Sequence, residues 1–231
     1  SFAPFALVLV CAFLFSYFYL PETHGKTVEE IQRLVGSGDE EVGRAIEIVQ
    51  AVELDVTKPD QIQALAEKTQ QLDILVNNAG IIDSALSSAL DAAEFARREM
   101  EVNLFGPMQL TNLLIPKLKQ SSEGAIVNIS SIAAMSNFPS IGTYSISKAA
   151  MHSYSEGLRA DLVAENIAVV CVYPGPTDTR MAEGMDMDKP TPKSVSEKAF
   201  LALSQGQLEV FPDDFAKQMY ATFLDHPQKL A

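Results

Sequence analysis

The chain has 231 residues, 47% of them hydrophobic and 20% charged, with a formal net charge of −13. These proportions suit one compact domain with room for an appendage and exclude a wholly disordered chain; the acidity repels phosphate backbones, so no nucleic-acid partner is expected. Two distant cysteines, Cys11 and Cys171, and three histidines without ligand spacing, His24, His152 and His226, exclude a disulfide framework and a structural zinc site.

Residues 1–20, SFAPFALVLVCAFLFSYFYL, contain no charge. As a helix they would span roughly 30 Å, the thickness of a bilayer's hydrocarbon core. Tyr17 and Tyr19 stand at one end, as interfacial aromatics do. A transmembrane-type helix is the first reading. A buried core helix is the second, and a cleaved leader fits poorly because there is no basic n-region. In the segment that follows, Pro21, Glu22, Thr23, Gly25, Lys26, Thr27, Glu29, Glu30 and Ile31 resemble the signature closing the last transmembrane helix of major facilitator sugar porters. That resemblance covers residues 1–35 and implies membrane contact through residues 1–20. The location expected is the membrane where that run is authentic, and the cytoplasm otherwise.

Residues 36–50 read as a polar connection. AVELDV (51–56) alternates like a strand, and KPDQIQALAEKTQQ (58–71) has helical period with Ile62, Leu65 and Ala66 as its apolar stripe. LDILVNNAG (72–80) is a short apolar strand stopped by Asn-Asn-Ala-Gly. A long helix is predicted over about 88–118, a buried strand over 124–130, a helix over about 143–164 and a buried strand over 167–175. Strands with continuous apolar runs, alternating with helices, predict an α/β fold with a parallel sheet covered on both faces.

Tyr144 and Lys148 lie four apart on a predicted helix and so share one face. An ammonium beside a phenol favours the phenolate and makes it a proton donor and acceptor. Ser131 lies thirteen residues before Tyr144, at the carboxyl end of a buried strand, where ligands of open α/β sheets bind. Asn77, Asn78, Ala79 and Gly80 end the preceding strand in the same way, Asn103 sits inside the long helix, and YPGPTDT (173–179) ends the last strand.

In this order and at these spacings the residues resemble the short-chain dehydrogenase/reductase family, from about Ala51 to the C-terminus. The resemblance implies a Rossmann-like doubly wound parallel sheet, and hydride transfer between NAD or NADP and a small-molecule carbonyl or alcohol. It implies that Tyr144 is the general acid/base, that Lys148 lowers the Tyr144 pKa and holds the nicotinamide ribose, and that Ser131 hydrogen-bonds the substrate oxygen. Asn103 is implied to break the helix locally and hold a water. Asp55 and Val56 match positions beside the adenine, and Asn78, with Ala79 and Gly80, a stretch lining the cofactor. Thr177 and Thr179, after Pro174 and Gly175, match residues that meet carboxamide and phosphate. Met181, Met185 and Met187 fall where the family has a substrate lid. The helices at 88–118 and 143–164 imply a homo-oligomer.

The family's glycine-rich strand-turn-helix has no match before residue 51: Gly36 and Gly38 sit among acids in GSGDEE. The sequence therefore reads as composite, a sheet incomplete at its N-terminal side with the strand at 72–77 left as an edge, beside which the strand at 51–56 could slide. The choice between NAD and NADP has no residue to rest on. Two other functions stay open beside the oxidoreductase: a family member or composite chain that binds no cofactor, and a transporter fragment with a soluble tail.

Overall fold

The computed structural model describes residues 52–226. The hydrophobic run at 1–20, the porter-like tail and the 36–50 connection lie outside the described residues. Among the described residues no helix is long and apolar enough to cross a membrane.

Helix α1 (Pro59–Lys68) starts at a proline, whose fixed φ and missing N–H suit the first helical turn. Strand β1 (Ile74–Asn77) leads to helix α2 (Ala92–Met100), a π-helical turn (Glu101–Phe105) and helix α3 (Gly106–Leu118). Strand β2 (Ala125–Ile129), helix α4 (Gly142–Leu162) and strand β3 (Ala168–Val172) follow. Helix α5 (Pro192–Ser204), the short strand β4 (Glu209–Val210) and helix α6 (Asp214–Asp225) complete the described order. The sheet is parallel throughout, in the order β1-β2-β3-β4.

Register explains the apolar strands. Leu75, Ile126 and Val169 are partners across β1, β2 and β3, and pack with Ile62 and Leu65 of α1, Leu110, Leu114 and Leu118 of α3, and Leu158 and Leu162 of α4. The next residues, Val76, Val127 and Val170, turn to the opposite face and meet Val195, Ala199 and Ala202 of α5. Both faces are covered, so no strand position is free to be polar for solvent's sake.

One row is polar nonetheless. Asn77, Asn128 and Cys171 are register partners. Asn77 Nδ2 donates to Thr111 Oγ1 (3.0 Å) and Asn128 Oδ1 (2.8 Å), and Asn128 Nδ2 donates to Ser155 Oγ (2.9 Å). This buried network ties β1 and β2 to α3 and α4 at one register, just below the carboxyl ends where the two strands open into loops.

The sequence reading meets the structure differently at three places. The 51–56 segment does not join the sheet among the described residues. Val52 and Leu54 pack on the core beneath α1 and α3, and a turn ends the run: Asp55 Oδ1 accepts from Thr57 N (2.9 Å) and Oγ1 (2.7 Å). It does not slide beside β1, which has a strand neighbour on one side only among the described residues. The long helix is interrupted by a π turn at Asn103, the local break that the resemblance implies there. Finally, α5, β4 and α6 were not among the predicted elements, although Thr191 and Asp213 cap the two helices by accepting from Ser194 N and Ala216 N.

Candidate active site

The loops at the carboxyl ends of β1, β2 and β3 converge on the first turns of α4, and the α4 residues there are mostly buried. Tyr144 is buried, and Lys148 is 4% exposed. The Lys148 ammonium donates to Ile129 O (3.0 Å) at the end of β2 and stands 5.6 Å from the centroid of the Tyr144 ring. Burial strips water from the ammonium and pulls its pKa down to about 8. At neutral pH it still carries its proton, now in a setting where its field on a neighbouring oxygen is strong.

Asn103 is held in the π turn, where an extra residue re-aims the side chain inward. Its Oδ1 accepts from Ile81 N (2.7 Å), and Nδ2 donates to Ile81 O (3.0 Å) and to Ser147 Oγ (2.9 Å). Ser147 Oγ in turn donates to Tyr144 O (2.8 Å). A side-chain amide thus continues the β1 backbone and ties it to the turn carrying Tyr144. Gly80 lies between these groups: a Cβ there would stand 3.3 Å from Asn103 Oδ1 and 3.5 Å from Lys148 Nζ. The position needs the smallest side chain for the two groups to share the space.

Ser131 follows β2 and caps a short 3₁₀ turn, accepting from Ala133 N (3.2 Å) while its hydroxyl donates to Pro174 O (3.4 Å). Ile132 N donates to the same carbonyl (3.0 Å). The β2 and β3 loops are therefore stitched together beside Tyr144. Thr177 is buried with Oγ1 donating to Gly175 O (3.2 Å), and Thr179 Oγ1 donates to Thr177 O (3.2 Å). A cleft is lined by Val76, Asn78, Ile129, Pro174, Thr177 and Val195, among others.

The structure thus brings together Gly80, Asn103, Tyr144 and Lys148, and places Ser131, Pro174, Gly175 and Thr177 along the adjoining loops, with Asn78 and Thr177 in the cleft. Ala79 sits half-buried in the same β1 loop. Asp55 is not brought to the cleft by any of its hydrogen bonds: its exposed carboxylate is used on Thr57, and those bonds hold it below its usual range. Val56 packs against Gly106, where a Cβ would come within 2.4 Å of Val56 O.

Two further acids have no counterpart in the sequence reading. Asp213 Oδ2 accepts from Gly175 N (2.8 Å) while Oδ1 caps α6. The Asp-Asp-Phe run before an amphipathic segment was the available signal. Glu99 is fully buried one turn before Asn103, and its Oε1 accepts from Asp83 N (3.0 Å) and Ser84 N (3.1 Å). No local pattern marks a glutamate that faces inward. His152 does not enter the site: Nδ1 meets Tyr173 OH at 2.6 Å, bracing the start of the β3 loop.

Residues 25–190 match the short chain dehydrogenase family. An uncharacterized oxidoreductase of Staphylococcus saprophyticus is 35% identical over 167 residues, which are 68% of this chain and 70% of that one. Estradiol 17-beta-dehydrogenase 2 of Rattus norvegicus is 32% identical over 207 residues, covering 85% of this chain and 50% of that one. Among solved structures, a short chain dehydrogenase from Burkholderia cenocepacia in complex with NADP superposes with a TM-score of 0.73 at 34% identity, covering 78% of each chain. The family match begins at residue 25, inside the segment that resembles the porter tail, and so claims Gly25 to Ile31 for the dehydrogenase. The porter resemblance is not supported.

Proposed function

Because the chain belongs to the short-chain dehydrogenase/reductase family, we propose that it is an NAD(P)-dependent oxidoreductase acting on a carbonyl or secondary alcohol, with Tyr144 as general acid/base. The observation that carries this reading is the convergence of Gly80, Asn103, Tyr144 and Lys148 at the carboxyl ends of parallel strands.

The residues present fit the nicotinamide end of a dinucleotide. Gly80 leaves open the space between Asn103 and Lys148, and Asn78, Pro174 and Thr177 line the adjoining cleft. Asn78, Ala79, Gly80, Tyr144, Lys148, Pro174, Gly175, Thr177 and Thr179 would hold the cofactor, which when bound supplies or accepts the hydride. Tyr144 hands a proton to the substrate oxygen, or takes it back, as charge develops there. Lys148 keeps its ammonium beside the ring and favours the phenolate. The Ser131 hydroxyl, now turned to Pro174 O, rotates to donate to the substrate oxygen. Asn103 fixes the Ile81 backbone and, through Ser147, the Tyr144 turn.

The acid/base and nicotinamide-end residues of this activity all lie within residues 51–231, and the family match reaches back to residue 25. The uncharged run at 1–20 supports a membrane contact, and exposed Phe105 and Ile146 on the α2–α3 and α4 helices support a homo-oligomer. A second reading is favoured by one observation: no glycine-rich phosphate turn stands before residue 51. Under it, the acid/base half is kept and the pyrophosphate is not held. Titration of NADPH, then NADH, into the purified chain decides between them. Saturable, micromolar enhancement of nicotinamide fluorescence, displaced by the oxidised form, is expected; a folded sample that binds neither would leave the second reading.

A further inference from the structure

The walls around Tyr144 have a consistent chemistry. The β1 loop lies on the first turn of α4: Ala85 N donates to Thr143 Oγ1 (3.1 Å), Thr143 N donates to Ala85 O (3.3 Å), and a Cβ on Gly142 would meet Ser87 Oγ at 2.4 Å. Leu86, between Ala85 and Ser87, is thereby fixed beside the Tyr144 turn, yet it is 55% exposed. The β2 loop forms the second wall. Asn137 Nδ2 donates to Gly142 O (3.2 Å) and Phe138 N to Ser145 Oγ (3.4 Å), which sets half-buried Met135 and Phe138 against the same turn. The segment after Thr179 follows the β3 loop and carries Met181 and Met185, 43% and 42% exposed. Lys189 Nζ ties that segment into one body by donating to Ala182 O (3.1 Å) and Met185 O (3.0 Å).

Charge is arranged against anions. Residues 131–147 carry none. Residues 77–90 carry only Asp83, which is paired with Arg98 Nε at 2.6 Å. The segment 178–189 holds four acids, Asp178, Glu183, Asp186 and Asp188, against Arg180 and Lys189. The Lys148 ammonium is buried and donates to Ile129 O (3.0 Å).

Resting on the oxidoreductase reading above, we infer that the substrate is an uncharged, apolar ketone or its secondary alcohol, whose carbon body lies over Leu86, Met135, Phe138, Met181 and Met185. Apolar groups held by fixed neighbours reward each methylene that leaves water, while the acidic segment disfavours a thioester carried on a phosphate-bearing group or a phosphorylated sugar. Flexible methionine side chains suit a body of variable shape.

The test uses the full chain with NADPH and a matched series: 2-butanone, 2-octanone and 2-decanone against acetoacetyl-coenzyme A and dihydroxyacetone phosphate. The expected result is a kcat/KM rising about threefold per methylene, with 2-decanone at least tenfold above either anion. Leu86→Glu, a change at an exposed site, should lower the ratio of kcat/KM for 2-decanone to that for 2-butanone about tenfold. A flat chain-length series, or preference for an anion, overturns the inference and leaves the oxidoreductase reading standing. Turnover of none of the five by a chain that binds NADPH overturns both.

Discussion

Lys148 is a buried cation, and its burial has a measurable consequence. The ammonium is 4% exposed and donates to Ile129 O at 3.0 Å. Desolvation lowers its pKa from 10.5 to about 8 in the fold. The folded chain therefore holds this proton less tightly than the unfolded chain. Below pH 8 both states are protonated and the fold bears the whole cost of the buried charge, about 3 kcal/mol. Between pH 8 and 10.5 the folded chain sheds the proton while the unfolded chain keeps it, so the stability contribution rises with pH across that window. From pH 7 to 10 the gain is about 2 to 3 kcal/mol. With a urea slope of about 2 kcal/mol/M, that moves the midpoint by about 1 M. Urea denaturation of the native chain and of Lys148→Met at pH 7, 8, 9 and 10 isolates the effect, because the variant shares nearly every other titration. The native midpoint should climb relative to the variant's. Parallel midpoints across the series would show that the ammonium is better solvated than its burial implies.

Tyr144→Phe removes the hydroxyl that moves the proton and should cut turnover by about 10²- to 10⁴-fold while NADPH affinity, read by fluorescence, stays within about threefold; retained turnover would displace Tyr144 from its role. Gly106→Ala drives a methyl to 2.4 Å from Val56 O and 2.8 Å from Val56 Cβ, contacts a backbone cannot easily relieve. It should cost about 1–3 kcal/mol, seen as a lowered urea midpoint, and an unchanged midpoint would mean that the 52–56 segment moves freely. Glu99→Ala strips the acceptor from the Asp83 and Ser84 N–H groups and should cost about 2–4 kcal/mol, whereas Glu99→Gln, which keeps one acceptor, should stay within about 1 kcal/mol of the native chain. Equal losses in the two variants would show that the negative charge, and not the acceptor, holds the loop.

Elements with a strong period were legible in the sequence. Ile62, Leu65 and Ala66 mark α1, and the continuous apolar runs mark β1, β2 and β3 because α1, α3, α4 and α5 cover both faces of the sheet. Tyr144 and Lys148 were legible as a pair because their spacing puts them on one helix face, while Asn103 was marked only through the family resemblance. The π turn could be expected only through the family resemblance, since EVNLF has nothing in its composition that forbids an ordinary helix. The failure at 51–56 is instructive. AVELDV alternates like a strand, but a strand needs a partner, and among the described residues this segment has packing contacts on α1 and α3 in place of one. Glu99 was invisible for a related reason: an acid is expected outside, and only the loop backbone that it holds, supplied from a distant part of the chain, brings it in; Asp213 was visible as a helix cap, but its bond to Gly175 N was not.

The hydrogen-bond inventory of Asn103 narrows what this residue can do. A side-chain amide has two N–H donors and one carbonyl oxygen with two lone pairs. Both donors are used, on Ile81 O and Ser147 Oγ, and one lone pair accepts from Ile81 N. The side chain has a single acceptor position left, so it cannot donate to a water without releasing either the β1 loop or the Tyr144 turn. A proton path through this position therefore has two places to attach: the remaining Oδ1 lone pair, which faces the space above Gly80 and the Lys148 ammonium, and the main-chain carbonyls of the π turn, whose shifted hydrogen-bond pattern loosens the helical ladder locally. The hydrogen bonds of Asn103 thus make the amide a brace between the loop that follows β1 and, through Ser147, the turn that carries Tyr144.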